Sequence, residues 1–136
     1  MPDIQNCIAI IKKLLIDNSE ITDLVQDRIH TSHFYDLDNV TIKYPMIILD
    51  FDSGRAGYGK SHQIFDLNVY VYSNINSDQC LSIYSKVYET LQASRLYNSN
   101  LEDKGYIRET ERPSNGYNDK VMSYFVLGVY RVITAG

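Results

Sequence analysis

The chain has no tryptophan, only two cysteines and three prolines, and a formal charge of just −4. Each scarcity closes off a class of function. Cys7 and Cys80 stand far apart, with no CxxC pair and no Cys/His spacing around them. That excludes a disulfide framework and a zinc-finger site. Both cysteines fall on the apolar side of predicted helices and read as small core residues. Thirteen basic residues against 17 acidic ones leave no basic excess of the kind that grips nucleic acid. No apolar run approaches the ~18 residues of a membrane-spanning helix. The opening MPDIQNCIAIIKKLL carries an acid where a secretory leader would be basic, and Lys12 and Lys13 interrupt its apolar stretch. It reads as the start of a mature, cytoplasmically made chain.

What remains is an ordinary globular composition, 44% hydrophobic and 22% charged over 136 residues. The expectation is one domain, 1–136, large enough to build a core without staples. The twelve tyrosines are the compositional excess. Tyrosine joins an apolar body to a polar tip and is enriched where proteins meet proteins, so the excess suggests an assembly surface.

Residues 3–17 place Ile4, Ile8, Ile11 and Leu15 at helical spacing, with Cys7 and Leu14 beside them and Asp3 as N-cap. Ser19 can cap a short second helix through Ile21, Leu24 and Val25. RIHTSHFY reads as a short strand or extended loop. In YPMIILDFD, Ile47, Leu49 and Phe51 point one way, Asp50 and Asp52 the other, and Pro45 fits a strand start or edge. Residues 62–73 alternate strictly: Phe65, Leu67, Val69 and Val71 against Asp66, Asn68, Tyr70 and Tyr72. Asn76 or Ser77 caps a long helix to about Tyr97, with a stripe of Cys80, Tyr84, Val87 and Leu91 widened by Leu81, Ile83 and Tyr88. Residues 105–112 and 120–133 read as a closing antiparallel pair joined by a turn, PSNGYND. The last strand is apolar on both faces, with Val121, Phe125, Leu127 and Val129 against Met122, Val126 and Val132, which requires cover on both sides or an interface. The predicted order is α-α-β-β-α-β-β: an α+β domain whose antiparallel sheet is flanked by an N-terminal helix and one long central helix.

One motif invites an enzymatic reading. Gly54 to Ser61, GRAGYGKS, fits the G-x-x-x-x-G-K-[ST] loop that cradles phosphates. That loop works because its Lys-Ser end opens a helix, whose N–H groups and dipole meet the anion. Here the following residues alternate as a strand, so the segment is expected to be a hairpin tip. Ser53 to Ser61 is long for a hairpin connection, where two to five residues are usual. Long loops in small domains are often binding loops. Arg55, Tyr58 and Lys60 are therefore the candidate contact residues of this tip, and Tyr117 that of the second tip, 113–119.

The other chemistry-bearing residues do not assemble. His30 and His33 point oppositely on extended backbone, with no third ligand nearby, so no metal site is expected. His62, at a strand start, reads as solvated. Asp50, Asp52 and Asp66 could cluster on the polar face of the hairpin, as general acid–base or cation-binding groups, but read more simply as solvated carboxylates. Arg108, Glu109, Glu111 and Arg112 look like cross-strand charge pairs. No nucleophile motif is present, so no catalytic residue and no cofactor is expected.

The order of elements resembles the tail-terminator, or tail-completion, proteins of tailed bacteriophages and prophages. The matching parts are IAIIKKLL, the phrase Leu24-Val25-x-x-Arg28-Ile29, the strand YPMIIL, the strand FDLNVYVYS leading into DQCLSIYSKVYETL, and a closing β-hairpin. They span nearly the entire chain; the glycine-rich tip at 53–61 departs from the pattern. The resemblance implies a non-enzymatic virion subunit of the tail or neck, made in the host bacterial cytoplasm. It would form a ring, commonly a hexamer, at the head-proximal end of the tail tube. Its partners would be other copies of itself, the tube protein and a head-completion or connector protein. It would contact no membrane and meet DNA only as cargo passing through the lumen. Three alternatives stand beside it: a head-completion or other neck ring, a small nucleotide-binding enzyme using Gly54 to Ser61, and an α+β adaptor domain of bacterial origin.

Overall fold

His62–Ser73 (β4) is the axis of the molecule. In this computed structural model, which describes residues 4–31, 43–51, 55–56, 62–92, 94–95, 105–119 and 122–135, it is hydrogen-bonded along both edges. On one side lies Met46–Phe51 (β2), antiparallel, with Ile47 opposite Val71 and Leu49 opposite Val69. On the other lies Ser123–Ala135 (β8), paired along the whole of β4 from His62↔Ala135 to Ser73↔Tyr124. Ile29–His30 (β1) adds to β2 in parallel, so the sheet is mixed at that edge. Arg55–Ala56 (β3) pairs with Gln63 and Ile64 of β4. Beyond β8 come Gly105–Glu109 (β6) and then Ser94–Arg95 (β5).

The period of two in β4 does what period two must. Leu67, Val69 and Val71 are fully buried on one face, while Asp66, Asn68 and Tyr70 are half-buried on the other. Three helices cover the apolar face: Ile4–Ile16 (α1), Ser19–Val25 (α2) and Ser77–Leu91 (α3). Ile10, Ile11 and Leu15 of α1, Ile21 and Val25 of α2, and Cys80, Ile83, Tyr84, Val87 and Leu91 of α3 join Ile47, Leu49, Val126, Tyr130 and Val132 in one core. The result is the expected α+β architecture.

The starts of α2 and α3 are both fixed by asparagine. Asn76 caps α3, its side chain accepting from Gln79 N–H at 2.8 Å. For α2 the expected cap, Ser19, is displaced by Asn18, which accepts from Glu20 N–H at 3.0 Å and holds extended backbone. Asn18 wins because its amide works twice: Nδ2 also donates to Thr90 Oγ1 at 2.8 Å, tying α2 to α3. Asn18→Ala loses both, and chemical denaturation should show a loss of about 1–2 kcal/mol, larger than an ordinary cap removal.

Four expectations are corrected, three of them at element ends. Helix α3 stops at Leu91 rather than near Tyr97, because Gln92 turns to extended backbone (φ −62°, ψ 120°) and the chain then pairs as β5 with β6. Residues 113–119 are not a turn. Ser114–Asn118 (β7) pairs with the first half of β8, Ser114↔Leu127 to Asn118↔Ser123. Met122, expected in the last strand, lies in the turn before it with φ 52° and is 72% exposed. The back face of β2 is also not polar throughout: Met46, Ile48 and Tyr72 form a second, smaller core with Tyr44, Tyr70 and Phe125 packed on it. This explains why β8 is apolar on both faces. Val126 and Val132 face the helices, and Phe125 faces the second cluster. The ring of Phe125 also covers Gly116 across the strand pair; a Cβ there would sit 3.0 Å from Cζ. Asp3, Asp52 and Val121 lie outside the described residues.

Candidate functional site

Of the four candidate contact residues the structure describes two, Arg55 and Tyr117, at opposite ends of the sheet. Arg55 is in β3, its backbone paired with Ile64 of β4. Tyr58 and Lys60 lie outside the described residues. Tyr117 is on β7, 46% exposed, its ring edge-on to Tyr124 with centroids 5.0 Å apart. Tyr124 pairs with Ser73, nine strand positions from Ile64, roughly 30 Å away at the usual strand rise. The structure therefore places Arg55 and Tyr117 apart, at opposite ends of β4. The residues after Ser61 are strand, with no helix N-terminus to meet a phosphate.

A groove that the sequence did not point to lies between them, on the outer side of α3. Strands β6 and β7 follow β8 in registers that differ by two: Glu109 faces Tyr130, and Ser114 faces Leu127. Thr110 to Pro113 must therefore pass Gly128 and Val129, and the chain bulges outward there. Thr110 N–H still donates to Val129 O at 2.9 Å. Between this bulge and α3 is an open groove of about 320 Å³ lined by Leu81, Tyr84, Ser85, Tyr88, Glu109 and Pro113. Leu81 and Tyr88, expected to widen the buried stripe of α3, instead stand 43% and 38% exposed on its wall.

Its floor is a chain of hydroxyls. The Tyr84 hydroxyl donates to the Glu109 carboxylate in a short hydrogen bond and lies 3.0 Å from the Tyr130 hydroxyl. A carboxylate only accepts, so Tyr84 spends its one proton there and Tyr130 donates to Tyr84. Burial, and then the bond to Glu109, pushes the Tyr84 hydroxyl far above the ordinary tyrosine range. Burial raises Tyr130 as well. Neither is a proton carrier; both are fixed neutral donors. Glu109 is held from the other side too, its N–H donating to Gln92 Oε1 at 2.8 Å. A glycine makes this possible. At Gly128 a Cβ would stand 2.1 Å from Tyr84 Oη.

The charge pairs expected at 108–112 are not formed as read. Glu109 faces the helices, while Arg108 lies directly across from Arg131, a like charge. Arg131 is balanced instead by Asp66, Nε to Oδ1 at 3.5 Å. That contact also takes Asp66 out of the possible carboxylate cluster; Asp50 sits across from Asn68, and Asp52 is outside the described residues. Among the described residues, no three His, Cys, Asp or Glu come together as a metal would require. His30 is half-buried, and burial followed by Lys12 lowers its pKa; His33 is outside the described residues. Cys80 is buried, bonds through Sγ to Tyr124 O at 3.4 Å and is pushed up by burial to about 11, a core thiol as expected. For Cys7 only the helical backbone is described. No described helix is long and apolar enough to cross a membrane.

The fold has a solved counterpart. A chain from the structure described as the virion of a native gene transfer agent (GTA) particle superposes with a TM-score of 0.76, over 94% of this chain and 93% of that one. The two are 13% identical in sequence, so the likeness is one of fold. No protein-family model matches the chain, and no curated protein sequence matches it either.

Proposed function

We propose that this protein is a non-enzymatic structural subunit of a phage-type virion, a single-domain ring subunit that ends the tail tube at its head-proximal side and joins it to the head. The observation that carries the reading is the end-to-end fold likeness to a chain of a phage-like particle, at 94% and 93% mutual coverage. The order of elements that resembles tail terminators supports the finer placement. A six-membered ring requires heterologous contacts, one patch of a subunit meeting a different patch on the next. Arg55 and Tyr117 at opposite ends of β4, and the groove beside β6, offer such unlike surfaces. Arg55, Tyr58 and Lys60 on one tip and Tyr117 near the other are the proposed contacts. Partners are further copies of the chain, the tube protein and a head-side connector. A net charge of −4 suits a lumen through which DNA slides without being held.

The test is genetic. In a strain producing the particle, removing this chain should give tubes of uncontrolled length and heads without tails, with infective or transducing titre down by orders of magnitude. Supplying the chain in trans should restore both. Tails of normal length that fail to join heads would move the protein to another neck ring. Normal, joined particles would overturn the reading.

A further inference from the structure

We propose that the α3 groove is the socket for the glycine-rich tip, Ser53 to Ser61, of a second copy of this chain. The inference rests on the ring reading above and names the contact that would close the ring. Charge argues first. Among the six described lining residues Glu109 is the only carboxylate, held by the Tyr84 hydroxyl while its backbone N–H donates to Gln92, and none of the six is a cation. The outward charges of α3 add Asp78 and Glu89, while its one cation, Lys86, already faces Glu20 at 3.5 Å. Arg112, next to Pro113, is exposed but does not line the groove. The tip has the complementary sign: Arg55 and Lys60, with no acid from Ser53 to Ser61.

Shape and chemistry argue next. The walls are Leu81, Tyr88 and Pro113, apolar and partly exposed, which is the setting an aromatic anchor fills. Tyr58 supplies one, between Gly57 and Gly59, whose missing side chains let the backbone come close. A cation on Glu109 beside a ring between Leu81 and Tyr88 pairs a desolvated charge with an apolar contact.

Topology makes the contact intermolecular. The groove lies beside Gly128, which pairs with Val69, whereas the tip enters β4 at His62. Seven strand positions separate the two rows, roughly 23 Å. One copy's socket and the strand that leads out of its own tip therefore lie apart, and a tip-to-socket contact between copies is heterologous, as a ring requires.

The test mixes two variants of the full chain in a Cys7→Ser background, one carrying Tyr58→Cys and the other Ser85→Cys. Under mild oxidation of assembled particles or rings, the mixture should give a disulfide-linked dimer and neither variant alone should. In parallel, Ser85→Arg, which alters an exposed wall residue, should weaken subunit association at least about tenfold, and so should Glu109→Lys. Arg55→Glu with Lys60→Glu should recover part of the loss in the Glu109→Lys protein. Rings that form without the cross-link, and that ignore Ser85→Arg, would overturn the socket and leave the ring standing. Absence of any ring in particles would overturn the ring reading itself.

Discussion

Gly128→Ala should cost about 3 kcal/mol of folding stability, more than any ordinary surface change, because it overpacks a closed site. The added Cβ would stand 2.1 Å from Tyr84 Oη and 2.5 Å from Cζ and Cε2. A ring tip can sometimes swing aside, but Tyr84 is 4% exposed and bonded to both Glu109 and Tyr130. Moving it breaks the bond to the half-buried Glu109 carboxylate and strands the buried Tyr130 hydroxyl. Urea unfolding measures the loss. Pairing Gly128→Ala with Tyr84→Leu should cost clearly less than the sum of the two, since the second change removes the obstacle. A Gly128→Ala protein within about 0.5 kcal/mol of wild type would mean that Tyr84 does not lie over β8. The consequence reaches assembly, because the same ring is the groove floor.

Tyr72→Ala should be the second large loss, about 3–4 kcal/mol, in the range of aromatic truncation in a core. Alternation along β4 puts Tyr72 on the face away from the helices, where a solvated tyrosine would be worth little. It is instead 1% exposed, stacked on Tyr70 with centroids 5.8 Å apart and tilted against Phe125 at 6.2 Å. Its removal opens a void beside Met46 and Ile48. Thermal unfolding should fall by roughly 10 °C for a domain of this size. Tyr117→Ala is the contrast: 46% exposed, it should cost under about 1 kcal/mol while affecting assembly. Equal losses at both sites would mean that the second core does not hold.

This difference between tyrosines marks where sequence reading stops. Strand β4 and helix α3 were legible because burial imposes their periods, two for Leu67-Val69-Val71 and 3.6 for Cys80-Tyr84-Val87-Leu91. Asn76 announced its helix for a local reason, a side-chain oxygen placed to meet Gln79 N–H. Strand β7 was not legible. SNGYN has the composition of a turn, and it is a strand because β8 offers a free backbone edge in register, which no side chain in it reports. The groove was invisible for the same reason. Its walls come from residues 81–88 and 109–113, and they face each other only because two registers along β8 differ by two. Gly128 was the one available signal, since a glycine inside an apolar strand often marks a close approach. The phosphate-loop motif shows the converse. All its letters are present, and the strand that follows them decides against it.

Position in the particle tests the central claim most directly. Complementing the deletion strain with an epitope-tagged chain and imaging gold-labelled particles locates it. A ring terminator should put label at a single level, the junction between head and tail tube, with about six copies there. Label spread along the tube, inside the head, or absent from finished particles would contradict it.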